Sequence, residues 1–167
     1  SYIRLDREGA IFTRMHPLDR ITYKVISDMS VPDVDELRAD SSPYMPAFDR
    51  YRELPKTLDA RIAKLAREVI EKAGARNRYD AARAIEQHLQ SDHYRYSLDM
   101  KAGGADPLAD FLFNVREGHC EYFSTAMAVM LRTQGIATRV VNGFQRGEYN
   151  DAADVYTVTQ KDAHSWV

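Results

Sequence analysis

The segment GHCEYFSTAMAVMLRTQG, residues 118–135, contains the one cysteine of the chain, Cys120, near its beginning. Side chains recur after this cysteine at intervals of three and four residues, the spacing of one helical face: Cys120, Phe123, Met127 and Met130. The pair Gln134-Gly135 is typical of a helix end, because glycine readily adopts the left-handed backbone conformation found there. The segment therefore predicts a buried helix with Cys120 in its first turn.

Two interpretations of Cys120 follow from this position. The first turn of a helix carries unpaired backbone N–H groups and the positive end of the helix dipole, which favour a thiolate, the reactive form of cysteine. The same N–H groups can donate to an oxyanion on an attacked carbonyl group. Free cysteine is also among the most buried residue types and often serves as a small apolar side chain. The residue pattern alone leaves both interpretations open.

A nucleophilic cysteine needs a base, and the histidines differ in how well they fit that role. His119 is adjacent to the thiol in sequence, so it points about 100° away from it on a helix. His164 lies on a predicted strand, AHSWV (163–167), where it is either a base or a packed ring. His88 and His93 fit a solvated or packed helix face better than a ligand pair. One cysteine and scattered histidines lack the spacing of zinc ligands, so no metal and no cofactor is predicted.

Composition limits the class of protein. The chain has 167 residues, of which 44% are hydrophobic and 29% are charged, with a net charge of −2. These values are typical of a globular protein of one domain or of one domain with a small attachment. They give no basic field for nucleic acid. No apolar run approaches the ~18 residues of a membrane span, so we expect any membrane attachment to run through segments outside this chain.

The pattern along the chain changes near residue 50, which predicts an N-terminal extension (1–50) and a core (51–167). In the extension, ITYKVIS (21–27) alternates as a strand does, and closely spaced prolines after residue 31 predict an irregular connection up to residue 55. In the core, helical spacing predicts two amphipathic helices, over about 58–74 and 81–89.

The rest of the core combines helix and strand. Asp106 and Pro107 are typical of the start of a short helix. Strands are predicted for 138–144, 154–160 and 163–167. Packed as one antiparallel sheet against the Cys120 helix, they would give an α+β fold.

Several further side chains near Cys120 have ordinary structural explanations. Glu117 and Glu121 flank the helix start and would interact favourably with its dipole. Asn142-Gly143 suggests a turn or a bulge. Three tyrosines would either line a groove or pack in the core: Tyr94, Tyr96 and Tyr122.

The segment GHCEYFSTAMAVMLRTQGIATRVVNGF (118–144), followed by DAHSWV (162–167), resembles the core of the transglutaminase-like superfamily. In this papain-like arrangement a cysteine begins a buried helix and a histidine lies on a later strand. The preceding DPLADFLFNV (106–115) narrows the resemblance to the extracytoplasmic domain of bacterial inner-membrane protein-glutamine gamma-glutamyltransferases of the TgpA type. The similarity is strong from residue 106 onwards and weaker from about residue 54, and residues 1–50 match only as a strand-bearing lead-in.

The resemblance implies roles for individual residues. Cys120 corresponds to the nucleophile and His164 to its base. Asn114 lies where papain-like enzymes carry an amide that donates to the oxyanion, although a helix C-cap explains it equally well. The family expects an aspartate on the strand after the histidine, and Asp162 is a weak substitute for it. We therefore expect the third catalytic residue beyond Val167, with the core truncated at that end.

The resemblance also implies a function. We expect cysteine-dependent acyl transfer on glutamine carboxamides of proteins or peptides, through a thioester, in an extracytoplasmic domain of an inner-membrane protein. Without its acid, the chain alone is expected to be folded and nearly inert. Two alternatives stay open: a cysteine protease or amidase of the same fold, and a catalytically silent binding or scaffolding domain of the cell envelope.

Overall fold

A computed structural model of the chain describes residues 3–5, 11–13, 26, 30–99 and 103–167. Contacts divide the chain into two units, residues 1–31 and residues 32–167. In the first unit, β1 (Ile3–Leu5) and β2 (Ile11–Thr13) pair as an antiparallel hairpin. The strand predicted for residues 21–27 lies outside the described residues, apart from Ile26.

Helices make up nearly half of the described second unit. In chain order they are α1 (Val34–Ala39), a 3₁₀ helix (Pro46–Arg52), α2 (Ala60–Lys72), α3 (Arg78–Leu89), α4 (Pro107–Asp110), a π-helix (Phe111–Val115), α5 (Cys120–Thr133) and a 3₁₀ helix (Gln160–Asp162). The helices predicted for 58–74, 81–89, after Pro107 and from Cys120 are all confirmed.

The proline-rich connection contains more regular structure than predicted. Prolines prevent a long helix there, but α1 and the first 3₁₀ helix form between them. Hydrogen bonds to backbone carbonyl groups attach this segment to the rest of the unit. Thr138 N donates to Tyr51 O at 3.0 Å, and Arg132 Nη1 donates to Glu53 O at 3.1 Å. Arg38 of α1 is also paired with Asp80 of α3, which explains why the unit begins well before residue 50.

Side-chain caps determine where the central helices begin. Asp59 accepts from the backbone N–H of Arg61 at the start of α2, and Asn77 accepts from that of Asp80 at the start of α3, both at 2.8 Å. Gly135, with φ of +76°, follows the last residues of α5 and confirms the predicted helix end.

The core lies where α2, α3, the π-helix and α5 meet. Its buried members come from all of them: Ile62, Ala66, Ile85, Leu89, Phe111, Leu112, Ala126, Met130 and Leu131. The predicted face of α5 is split by this packing. Met130 is fully buried, whereas Cys120, Phe123 and Met127 are half-buried and line a cavity.

The described strands of the second unit form three separate pairs. The pairs are β3 (Arg95–Tyr96) with β4 (Glu117–Gly118) in parallel, and β5 (Val141–Phe144) with β8 (Ala163–Trp166) and β6 (Glu148–Asn150) with β7 (Val155–Thr157), both antiparallel. The predicted single sheet is therefore wrong in one respect. Residues 155–157 pair with β6 as a hairpin, because the chain reverses over residues 151–154: Asn150 accepts from the backbone N–H groups of Ala152 and Ala153, and Asp154 adopts φ of 53°.

Gly118 allows α5 to begin close to β4. A Cβ atom at this position would lie 2.9 Å from Cγ and Cδ2 of Tyr122. These atoms belong to a ring held between neighbouring aromatic side chains, so they have little room to move. We expect Gly118→Ala to lower the free energy of unfolding by about 1–3 kcal/mol, as overpacking typically does.

Urea denaturation measures this effect, and Gly104→Ala is the matched control. A Cβ at Gly104 would meet its nearest neighbour, Asp110 Cγ, at 3.9 Å, an ordinary contact. The control should lie within about 0.5 kcal/mol of the wild type. Equal stability of Gly118→Ala and the wild type would show that Tyr122 moves aside without cost.

Candidate active site

Three consecutive features of the backbone place Cys120. Asp106 caps α4 through the backbone N–H groups of Leu108 and Ala109, and the chain continues into the π-helix. Arg116 then adopts φ of 53°, a left-handed conformation that reverses the chain. Its carbonyl oxygen accepts from Arg95 N at 2.9 Å, which begins the parallel pairing of β3 with β4 directly before α5.

His119 is the N-cap of α5, and Cys120 is the first residue of the helix. Nδ1 of His119 accepts from the backbone N–H of Glu121 at 3.4 Å. Its ring lies edge-on against Tyr122, with ring centroids 5.2 Å apart. These contacts account for His119 as a structural cap, consistent with its rejection as the base.

A cavity of about 570 Å³ opens beside Cys120. It lies among α3, β3, α5 and β8, and its lining is largely aromatic and apolar. The side chains of Cys120 and His164 both line it, although they lie far apart in sequence, and both are half-buried. A thiol and an imidazole therefore share one partly open cavity of a size typical of ligand sites.

His164 is held by the β5–β8 pair. It lies opposite Gly143 in the register, and its ring meets the Trp166 indole edge-on at 5.1 Å. A Cβ at Gly143 would lie 3.1 Å from the same indole, so glycine leaves room for Trp166 to cross the strand. Asn142-Gly143 lies inside β5 rather than in the predicted turn, and Asn142 accepts a 2.6 Å hydrogen bond from Ser165.

Tyr96 is the cavity residue most directly associated with Cys120. It pairs with Gly118 across β3 and β4, and its ring stacks on Phe123, with centroids 6.2 Å apart and planes 25° apart. It lines the same cavity as Cys120, with its hydroxyl close to that residue. Partial burial, followed by the charge of the Cys120 thiolate, raises the pKa of Tyr96, so its hydroxyl stays protonated at neutral pH.

Three other residues singled out in the sequence have partners of their own. Nδ2 of Asn114 donates to Asp110 Oδ1 at 2.8 Å, and Asn114 is exposed and absent from the cavity lining. Its role as an oxyanion donor stays a prediction that this placement does not favour.

The Asp162 carboxylate accepts from N and Oγ1 of Thr159, which lowers its pKa and engages it on its own turn. Glu117 is paired with Arg95 at 2.8 Å, so it does more than interact with the helix dipole.

Sequence reasoning missed the parts of the site that depend on long-range pairing. Tyr96 was one of three equivalent tyrosines, and the structure separates them. Tyr94 packs against Phe111 and donates to Leu112 O at 3.3 Å, and Tyr122 packs below Gly118. The parallel register of β3 with β4 is what brings Tyr96 to the thiol. No local periodicity signals such a pairing.

His88, which packs edge-on against Tyr94, is expected to make the stability of the domain depend on pH. Burial, then the positive charges of His93, Lys72 and Arg116, lower the pKa of His88. The unfolded chain, in which the pKa of histidine is ~6.5, therefore binds the proton more readily. The stability contribution of neutral His88 is present above pH ~6.5 and is lost as the pH falls through its lower folded pKa. We expect the free energy of unfolding to decrease between pH 7.5 and pH 5.

The test compares urea denaturation of the wild type with that of His88→Gln at both pH values. The variant has no proton to bind at this position, so its stability should decrease less over the same interval. Gln87→Ala, which replaces an exposed neighbour on the same helix that does not titrate, is the matched control and should keep the wild-type decrease. An identical decrease in the wild type and His88→Gln would exclude His88 as a source of the pH dependence.

Neither a metal centre nor a membrane span is found among the described residues. There, no three or more histidine, cysteine, aspartate or glutamate side chains are grouped so that they could hold a metal ion. Within the same ranges, every helix is too short or too polar to cross a bilayer.

The fold and the site together define a class of protein. A cysteine begins a helix, a histidine lies on a later strand, and the core is α+β. The family model of the transglutaminase-like superfamily matches residues 63–167, so the chain belongs to this superfamily. The resemblance drawn from the sequence and the α+β fold class are both confirmed.

Two individual proteins are similar to this chain in sequence. The chain is 35% identical over 156 residues to the uncharacterized protein YebA of Bacillus subtilis (strain 168), covering 87% of this chain and 21% of that protein. It is 45% identical over 84 residues to a protein-glutamine gamma-glutamyltransferase of Pseudomonas aeruginosa, covering 50% of this chain and 13% of that protein. The chain thus spans about a fifth or less of these two relatives.

Two solved structures are similar in fold and sequence. Both are crystal structures of the periplasmic domain of TgpA from Pseudomonas aeruginosa. The one bound to ethylmercury has a TM-score of 0.64 and 37% identity, and it aligns over 71% of this chain. The other has a TM-score of 0.66 and 36% identity over 74% of this chain. In each comparison 42% of the TgpA chain is covered, and this level of identity supports more than a shared fold.

Proposed function

We propose that this domain is a cysteine-dependent acyltransferase that forms a thioester between Cys120 and the side-chain carbonyl of a protein or peptide glutamine. The observation that carries the proposal is that Cys120, at the first position of α5, shares one cavity with His164. Membership of the transglutaminase-like superfamily and the similarity to a gamma-glutamyltransferase support it. No cofactor takes part, because a thiolate and an imidazole suffice for acyl transfer.

In the acylation step Cys120 is the nucleophile, and His164 is first the base and then the acid. His164 takes the thiol proton, and the Cys120 thiolate attacks the carboxamide carbon to form a C–S bond and an oxyanion. The backbone N–H of Cys120, at the positive end of the helix dipole, donates to that oxyanion. The C–N bond then breaks, the departing nitrogen takes the proton from His164, and ammonia leaves the thioester behind.

The acceptor determines the product. A primary amine that loses its proton to His164 attacks the thioester, restores the thiol and yields an amide-linked product. Water yields glutamate instead. Because Cys120 and His164 are both partly solvent-exposed, hydrolysis is the second candidate function. The ratio of amine incorporation to glutamate formation distinguishes a transglutaminase from an amidase.

The base also needs an orienting acid. The described carboxylate nearest to His164 in sequence, Asp162, is engaged by Thr159, so we infer that the orienting acid lies outside the residues that the structure describes. We place the domain outside the cytoplasm, as in the periplasmic domain to which it is similar. A reporter fused after Val167 that is active only outside the cytoplasm tests this location.

The full-length product of the gene is the material for testing the activity. It is incubated with an N-blocked glutamine dipeptide and a fluorescent primary amine, and both the amine conjugate and released ammonia are measured. Conjugate and ammonia in equal amounts support the transferase, and ammonia without conjugate supports the amidase. Neither product under any condition would identify a catalytically silent binding domain.

A further inference from the structure

We propose that the hydroxyl group of Tyr96 supplies the second hydrogen-bond donor to the oxyanion formed during attack by Cys120. This inference rests on the proposed function and names a catalytic residue for it. The first donor, the backbone N–H of Cys120, comes from the helix start itself. The predicted side-chain donor, Asn114, has its amide on Asp110 and does not line the cavity. The site therefore needs a donor from another element.

The fold places Tyr96 for this role. The parallel pairing of β3 with β4 sets Tyr96 opposite Gly118, two residues before Cys120. Backbone hydrogen bonds flank the pair on both sides, from Arg95 N to Arg116 O and from Ser97 N to Gly118 O, each at 2.9 Å. The position of Tyr96 is thus tied to the same short segment that begins the helix.

Packing on one face orients the ring, which is 54% exposed. Tyr96 stacks on Phe123, which lies one helical turn after Cys120 on the same face of α5. The stacked ring lines the cavity that also contains Cys120 and His164, with its hydroxyl close to Cys120. An oxyanion bound by the Cys120 N–H would form about 3 Å from that nitrogen, in the cavity that Tyr96 also lines.

The chemistry requires a neutral phenol. Burial and the neighbouring thiolate raise the pKa of Tyr96, which keeps the proton on the hydroxyl at neutral pH. When the oxyanion forms, it accepts from the Cys120 N–H and from the phenol O–H. The proton stays on Tyr96 throughout, so no further group is needed to balance the step.

Tyr96→Phe tests the inference, because it removes the hydroxyl and keeps the stacked ring. In the full-length protein, we expect it to lower kcat/KM for the glutamine dipeptide by about 10²-fold, the typical loss of one oxyanion donor. Alkylation of Cys120 by iodoacetamide is the second readout, since attack on its methylene carbon creates no oxyanion. The alkylation rate and its pH profile should stay within about twofold of the wild type.

Tyr122→Phe is the matched control, because Tyr122 follows Cys120 on the same helix but does not line the cavity. It should keep wild-type kcat/KM, and thermal unfolding of both variants should match that of the wild type. Unchanged kcat/KM in Tyr96→Phe would overturn the inference. A parallel shift in the alkylation profile would also overturn it, because Tyr96 would then act on the thiol. Wild-type protein indistinguishable from Cys120→Ala would remove the proposed function, and this inference with it.

Discussion

Cys120→Ala is expected to abolish turnover of glutamine peptides, with a loss of roughly 10⁵-fold or more, as for removal of a covalent nucleophile. Without the sulfur, no thioester forms and the remaining groups can only bind and polarise the substrate. The measurement is the initial rate of amine incorporation by the full-length protein. Cys120→Ser is the companion variant. It keeps the size of the side chain and should also lose most activity, because a hydroxyl is a much weaker nucleophile at neutral pH.

The same substitution should leave stability nearly unchanged. Cys120 is half-buried and lies at a cavity rather than within the core, so removal of one sulfur creates little new void. We expect the free energy of unfolding of Cys120→Ala to lie within about 1 kcal/mol of the wild type. A loss of several kcal/mol, with no activity in the wild type, would identify Cys120 as a packing residue and the domain as a binding module.

His164→Ala carries the second large expected effect. Removal of the base should lower kcat/KM by roughly 10³-fold to 10⁴-fold, the upper part of the range for general acid–base catalysis. The double variant with Cys120→Ala should be no slower than Cys120→Ala alone, because nucleophile and base act as one unit. His93→Ala, which removes an exposed histidine outside the cavity, is the control and should keep full activity.

The rate of Cys120 alkylation gives a second readout of the role of His164. Alkylation of Cys120 at neutral pH should slow in His164→Ala, since the imidazole no longer takes the thiol proton. Multiplicative losses in the double variant would contradict a shared step. Unchanged kcat/KM in His164→Ala would show that this ring is only a packing partner of Trp166.

Local patterns predicted the helix that begins at Cys120 because its signals all lie within a few residues. The spacing of apolar side chains and the Gln134-Gly135 end are properties of one continuous segment. The start at Cys120 followed from the same segment. Membership of the superfamily could be inferred for the same reason, since the residues that carry the resemblance lie along the chain in a fixed order.

What the sequence did not predict depends on contacts between distant segments. The apolar face of α5 divides into a core part at Met130 and a cavity part at Phe123, because β8 and β3 leave one end of the helix uncovered. The separate β6–β7 hairpin depends on the turn over residues 151–154, where Asp154 adopts φ of 53°. The contact of Tyr96 with Cys120 depends on a parallel register that local periodicity does not encode.

The most direct test of the account is the intact mass of the full-length protein mixed with the glutamine dipeptide and quenched in acid within the first turnover. Acid preserves a thioester and denatures the protein, so bound but unreacted peptide is lost. The account predicts an added mass equal to the dipeptide minus ammonia, located on Cys120 by peptide mapping and absent from Cys120→Ala. An unmodified Cys120 while the dipeptide is consumed would contradict covalent catalysis by this residue.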